Sequence, residues 1–128
     1  MVRGPKILVI SDHWDMLSLL ERFLSGIGYQ VATGPLGGPI LQEARTFAPN
    51  AVLVDLLCGD RGEMEVLDLL RTDLFTHDIP IVVMAFELAP EEMKKVSKNC
   101  GITQVQTKFF NLDDLEKNIQ AALEHSSS

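Results

Sequence analysis

The feature that most constrains this chain is a set of short apolar runs that do not alternate with polar residues. Three of them, KILVI from residue 6, AVLV from residue 51 and PIVVM from residue 80, are continuous and rich in β-branched side chains. A strand that is apolar at every position is buried on both faces. Such strands form parallel sheets between two layers of helices, so the runs predict an α/β fold.

Two further runs, at 30–33 and 104–107, bring the predicted strands to five. The segments between the strands have the three- and four-residue spacing of amphipathic helices. Gly26 and Gly28 provide stop signals for the first helix, Pro39 is placed to open the second, and Asn111 is a good N-cap for the last. The alternation predicts five βα units in one doubly wound domain spanning 1–128, with a core at about 6–124 and no second domain.

Composition narrows the class of protein. The formal net charge is −7 and the pI is about 4.8, which argues against direct binding to nucleic acid, because phosphate backbones require clustered Lys and Arg. Cys58 and Cys100 have no metal-ligand or CxxC spacing, which indicates free thiols in a reducing compartment. No run approaches a membrane span, and the first apolar run is too short for a signal peptide. We therefore expect a soluble cytoplasmic protein.

Polar residues follow three of the predicted strands at the edge where open α/β sheets bind ligands. Ser11 and Asp12 follow the first strand, Asp55 ends the third, and Lys108 follows the fifth. We expect Asp55 to face solvent in a pocket at this edge. Two neighbouring carboxylates repel unless a cation lies between them, and Mg²⁺ typically binds through one or two carboxylates plus phosphate and water. A carboxylate is also a covalent nucleophile toward phosphorus.

In order and spacing, KILVISD, AVLVD, PIVVMA and Lys108 resemble the receiver domain of two-component response regulators over nearly the whole chain. The resemblance implies the strand order 2-1-3-4-5. It implies that a histidine kinase or another phosphodonor phosphorylates Asp55 and that Lys108 contacts the phosphoryl group. Asp12, Asp55 and the backbone carbonyl of Leu57 are the implied Mg²⁺ ligands. The implied output face consists of the predicted fourth helix, fifth strand and fifth helix. The resemblance implies that this face binds a partner protein, and a homodimer formed through it is an open alternative.

Several positions depart from the family pattern. Ser11 replaces the first residue of an acidic pair, and Ala85 replaces the Ser or Thr that senses the phosphoryl group. Val105 stands where a switch aromatic is usual, and Phe109 replaces a proline after Lys108. A cis bond before a non-proline residue costs about 3–4 kcal/mol, so we predict a trans Lys108–Phe109 bond. The loop that contains Leu57 is also one residue shorter than usual.

These departures leave two readings of function open. The domain either accepts a phosphoryl group on Asp55, with a weakened Mg²⁺ site and altered switching, or is a pseudo-receiver that binds proteins without phosphorylation. A turnover enzyme is disfavoured, because Leu57 stands where a dehalogenase-type phosphatase has its second Asp and no phosphate-binding loop follows the first strand. Trp14 is either an apolar anchor of the first helix or an optical reporter of the pocket.

Overall fold

The computed structural model describes residues 4–37, 39–56, 61–85, 104–106 and 111–126. Its strands lie close to the predicted runs: β1 (Lys6–Ile10), β2 (Gln30–Gly34), β3 (Ala51–Leu56), β4 (Ile81–Ala85) and β5 (Gln104–Gln106). All pair in parallel, in the order β2-β1-β3-β4-β5. This order matches the one that the family resemblance implied, and the predicted parallel α/β architecture is confirmed.

The strands differ in burial as their sequences indicate. Every residue of β3 is buried, whereas the edge strand β2 is half-buried until Gly34. In β1, Ile10 pairs with Gly34 on one side and with Val54 on the other. The continuous apolar runs therefore lie inside the sheet, and the weaker run lies at an edge.

The helices of the described residues are α1 (Trp14–Gly26), α2 (Ile40–Phe47), α3 (Arg61–Thr72) and a C-terminal helix (Leu112–Ser126). The predicted fourth helix, part of the implied output face, lies outside the described residues. After α1, Gly28 has a φ of 111°, and the Tyr29 amide donates to the Leu24 carbonyl at 3.0 Å. This is the glycine-dependent helix ending that the sequence predicted.

The helices cover the sheet in two layers, each with its own core. Leu8 of β1 packs among residues of α2 and α3, whereas Ile7 and Val9 pack among residues of α1 and the C-terminal helix. The predicted cap of that last helix is present, because the Asp114 amide donates to Asn111 Oδ1 at 2.8 Å. Successive residues of a strand point to opposite faces, which explains how one five-residue strand supplies both cores.

The apolar stripe predicted for α1 is wider than the face that the structure buries. Leu20 and Leu24 are fully buried, but Leu19 and Ile27 are 48% and 44% exposed. The helix contacts the sheet along a narrow strip, so residues at the margins of the stripe remain in solvent. Trp14, at the start of α1, is 76% exposed, so it is not a buried anchor.

The connection between α3 and β4 is ordered around Asp73. Its carboxylate forms an ion pair with Arg45 of α2 and accepts the amide of Phe75 at 3.1 Å. The Thr76 hydroxyl donates to the Leu70 carbonyl at 2.6 Å, and Arg71 donates to the carbonyl of Ile79 at 2.9 Å. The connection is therefore fixed to both helices that cover this face of the sheet.

We predict that Asp73→Asn destabilises the chain at neutral pH and not in acid. The Arg45 hydrogen bond is the main reason that the pKa of Asp73 is lowered from its ordinary value. A carboxylate with a lowered folded-state pKa stabilises the fold above its unfolded pKa, and this contribution is lost as pH falls through the folded value. Urea unfolding at a series of pH values measures the difference between the variant and the parent chain.

The matched control is Asp78→Asn, because the Asp78 side chain is 90% exposed and exposed pairs contribute little to stability. A loss of stability in Asp73→Asn that persists unchanged in acid would show that the Arg45 ion pair is not its cause.

Candidate functional site

The candidate site lies where β1 and β3 end side by side in the centre of the sheet. The chain passes from β1 to the edge strand β2 and then to β3 on the other side of β1, so the strand order reverses between β1 and β3. Ligand sites of open α/β sheets form at such reversal points. Ser11 directly follows β1, and Asp55 is the penultimate residue of β3. The structure therefore brings together two residues that are 44 positions apart.

A buried hydrogen bond joins these two residues. Ser11 Oγ donates to Asp55 Oδ2 at 2.7 Å. The same Oγ accepts the backbone amide of His13 at 2.9 Å, and the Ser11 amide donates to the Gly34 carbonyl at 3.0 Å. Ser11 is fully buried. Its side chain is therefore part of the site, although the sequence comparison with the family pattern treated it only as the loss of an acid.

Asp55 does not face solvent, so the prediction of a solvent-facing carboxylate was wrong. The residue is 1% exposed, and among the described residues its Oδ1 has no hydrogen-bond partner. The position of Asp55 at the end of β3 was predicted correctly. The burial of its side chain was not, because burial depends on the tertiary packing around the end of the strand. A buried carboxylate oxygen without a partner is rare in folded proteins and calls for an explanation by a ligand, an ion or a catalytic role.

The pKa of Asp55 is raised from its ordinary value, and burial is the main cause. The carboxylates of Glu63 and Asp12 raise it further, whereas the hydrogen bond from Ser11 and the electrostatic interaction with His13 lower it. Glu63, in the first turn of α3, is 8% exposed. Glu63 was not among the predicted site residues. The signal for it in the sequence is an acidic residue in the first turn of the helix that follows β3.

Asp12, two residues after the end of β1, is exposed. Its Oδ1 accepts the backbone amide of Leu36 at 2.8 Å, which fixes the carboxylate against the loop that follows β2. The negative charge of Asp12 contributes to raising the pKa of Asp55. Asp12 and Asp55 stand at the ends of the neighbouring strands β1 and β3, and their meeting in one metal site stays a prediction.

These two carboxylates fit a divalent cation. No group of three His, Cys, Asp or Glu side chains suited to a metal occurs in the described part of the chain. Mg²⁺, however, commonly takes only one or two protein carboxylates and completes its shell with water and phosphate oxygens. Asp55 is suited to join such a shell, because its carboxylate has unused hydrogen-bonding capacity among the described residues. The Ser11 hydroxyl adds no negative charge, so the site has one carboxylate fewer than the family pattern.

The remaining predicted site residues are only partly covered by the structure. Leu57, Lys108 and Phe109 lie outside the described residues, and so does the predicted trans bond between the last two. The backbone of Ala85 ends β4 and pairs with Leu56 of β3. Val105 is the central residue of β5. The surroundings of the side chains of Ala85 and Val105 lie outside the described part of the structure.

We predict that Asp55→Asn increases the stability of the chain at neutral pH. For a carboxyl whose folded-state pKa is raised, stability falls as pH rises from the unfolded pKa to the folded one. Below this window the carboxyl is protonated in both states, so the variant and the parent chain should differ little. The stability gain of the variant should then grow through the window and stay constant above it. Urea unfolding across pH measures this gain.

Asp113→Asn, at an exposed position of the C-terminal helix, is the matched control. If Asp55→Asn were no more stable than the parent chain at neutral pH, the carboxylate of Asp55 would carry no burial penalty.

Within the described ranges, no helix is both long and apolar enough to cross a membrane. Among solved structures, a response regulator from Chloroflexus aurantiacus superposes with a TM-score of 0.82 at 21% identity, covering 95% of this chain and 99% of that one. The chemotaxis response regulator CheY4 of Vibrio cholerae superposes with a TM-score of 0.80 at 24% identity, covering 93% and 98%. At these identities the likeness shows the fold.

Sequence relatives extend the comparison. The transcriptional regulatory protein PrrA of Mycobacterium tuberculosis is 28% identical over 99% of this chain and 53% of its own length. The transcriptional regulatory protein KdpE of the same organism is 29% identical over 95% and 52%. The chain thus spans about half the length of the curated relatives it matches. The response regulator receiver domain model matches residues 7–120, and the chain therefore belongs to the response regulator receiver domain family.

Proposed function

We propose that this receiver domain accepts a phosphoryl group on Asp55 and transmits the change to a protein partner. Receiver domains are signalling modules, and this chain belongs to their family. The observation that carries the proposal is the buried Oδ1 of Asp55, which has no hydrogen-bond partner among the described residues. A desolvated, unpartnered carboxylate oxygen at the reversal point of the sheet is suited to act as a nucleophile.

The transfer forms one bond and breaks another. Asp55 Oδ1 attacks the phosphorus of a phosphohistidine, and the P–N bond breaks as the P–O bond forms. The electron pair stays on the imidazole nitrogen of a ring that is already protonated at its other nitrogen. The product is an aspartyl phosphate. With acetyl phosphate as donor, the P–O bond to the acetyl group breaks and acetate leaves with its electron pair.

The residues around Asp55 have separate tasks in this step. The Ser11 hydrogen bond at 2.7 Å favours the ionised form of Asp55 that attacks. Asp12 and Asp55 would hold Mg²⁺, with the backbone carbonyl of Leu57 as a further proposed ligand. When bound, the ion neutralises negative charge on the phosphoryl oxygens. Lys108 is proposed to contact the same oxygens from the end of β5.

A second candidate function is a pseudo-receiver that binds its partner without phosphorylation. The burial of Asp55, which is 1% exposed, favours it, because a phosphodonor must reach the carboxylate. The Ala85 position, without a hydroxyl, also removes one contact by which a phosphoryl group would be sensed. We rank phosphorylation first because the hydroxyl at this position serves the response more than the attack by Asp55.

The proposed partners follow from the family. The phosphodonor is a histidine kinase acting in the cytoplasm, or a small phosphodonor. The output partner is a protein that binds the face formed by the predicted fourth helix, β5 and the C-terminal helix. A second copy of this chain is an alternative partner for the same face. The net charge of −7 argues against direct binding of nucleic acid by this domain. PrrA and KdpE are transcriptional regulatory proteins of which this chain matches about half.

We predict that incubation with acetyl phosphate and Mg²⁺ adds one phosphoryl group to the chain. Intact-mass spectrometry detects the adduct, which should be absent from Asp55→Asn and from a sample without Mg²⁺. Asp113→Asn, at an exposed position of the C-terminal helix, should still form it. A folded parent chain that forms no adduct at saturating donor would favour the pseudo-receiver, and an adduct on Asp55→Asn would place the phosphoryl group elsewhere.

We also predict that Ser11→Asp strengthens Mg²⁺ binding in the absence of any phosphodonor. The added carboxylate raises the negative charge of the site, and affinity for hard divalent cations rises with ligand charge, here by about tenfold. Isothermal titration with MgCl₂ measures the change. Ser25→Asp adds the same charge at an exposed position of α1 and should leave the affinity near that of the parent chain. Equal affinities in both variants would contradict a metal site at Ser11.

A further inference from the structure

We propose that Ser11 is a positioning residue that holds Asp55 Oδ2 and thereby makes Oδ1 the attacking oxygen. This inference rests on the proposed function, because it names a determinant of the same phosphoacceptor. The observation behind it is an asymmetry between the two oxygens of one buried carboxylate. Oδ2 accepts the Ser11 hydroxyl at 2.7 Å, whereas Oδ1 has no partner within the described residues.

Ser11 is held firmly enough to act as a positioning group. Its amide donates to the Gly34 carbonyl of β2 at 3.0 Å, which fixes the backbone. Its Oγ accepts the His13 amide at 2.9 Å, so one acceptor site of the hydroxyl is filled. The single hydroxyl proton then points to Asp55. The contacts with Gly34 and His13 therefore determine the direction of the hydrogen bond from Ser11 to Asp55.

The strand register places this donor opposite the carboxylate. Ile10 pairs with Val54. The residues that come next in the chain, Ser11 and Asp55, are therefore placed side by side. Both also continue the sheet face that carries Val9 and Leu53, which belong to the same core. The bond is thus a product of the register, and it needs no movement of either strand to form.

The hydroxyl orients Asp55 without the charge that an acid at position 11 would add. An aspartate there would repel the carboxylate of Asp55, and a cation would be needed to offset this repulsion. A serine instead donates a hydrogen bond to Oδ2, and Oδ1 keeps no partner among the described residues. Orientation of a reacting group in its productive geometry lowers the barrier by prepaid entropy. Asp55 is therefore positioned before any donor or cation arrives.

The test compares Ser11→Ala, which removes the donor, with Ser11→Thr, which restores a hydroxyl. The first readout is the rate of adduct formation with acetyl phosphate at saturating Mg²⁺. The second is the ¹³Cγ resonance of Asp55 in metal-free buffer at one neutral pH. Ser25→Ala, at an exposed position of α1, is the matched control. If Ser11→Ala does not fold, Ser11→Cys replaces it, since a thiol is a weak donor.

We expect Ser11→Ala to slow phosphorylation about tenfold, the size of a modest orientation effect, while Ser11→Thr stays within about twofold of the parent chain. The Asp55 resonance should move in Ser11→Ala and return in Ser11→Thr. A residue that only stabilised the fold would lower the melting temperature and leave both readouts unchanged in the folded variant. Phosphorylation of folded Ser11→Ala at the parental rate would overturn the inference.

The two proposals fail in distinguishable ways. If the parent chain forms no adduct, the proposed function fails, and the Asp55 resonance alone decides whether Ser11 positions the carboxylate. A resonance that is unchanged in Ser11→Ala overturns the positioning role, whereas one that moves and is restored by Ser11→Thr supports it. If the parent forms the adduct and Ser11→Ala matches it, only the positioning role is lost.

Discussion

The parallel pairing of β1 with both of its neighbours is the constraint on which the rest of the structure depends. A strand buried on both faces cannot give its backbone groups to water, so strands on either side must satisfy them. In β1 this requirement is met by β2 and β3. Because the chain visits the edge strand before it returns to β3, the helices that follow β1 and β3 cover opposite faces of the sheet. The site lies at the ends of these two strands.

The chemistry of the site depends on one change of residue type, a neutral hydroxyl at a position where the family pattern has a charged carboxylate. Where the family pattern has an acid, Ser11 donates a hydrogen bond to Asp55. The negative charges of Glu63 and Asp12 still raise the pKa of Asp55. The Ser11 hydroxyl adds no negative charge to the site. In this chain the residue after β1 therefore contributes a hydrogen bond to Asp55 in place of a carboxylate that could bind a cation.

Much of the fold was predictable because its signals are local. Continuous apolar runs identified the strands, Gly28 marked the end of α1, and Asn111 marked the start of the last helix. The placement of Asp12 and Asp55 at the ends of neighbouring strands also followed, because parallel strands end at one edge. The burial of Asp55 did not follow, since it depends on tertiary packing around the end of β3. Nor did the ion pair of Asp73, whose partner on α2 lies 28 positions away.

The hydrogen bonds from the amides of Ser11 and Leu36 join the edge of the sheet to the centre of the site. Edge strands are the first to separate from a sheet during local opening. If β2 separates, the Gly34 carbonyl leaves Ser11, and the loop that holds Asp12 leaves with it. The free energy of this local opening therefore sets the fraction of molecules in which Ser11 and Asp12 keep these hydrogen bonds. An edge strand thus helps to govern how often the buried carboxylate of Asp55 is held in its ordered surroundings.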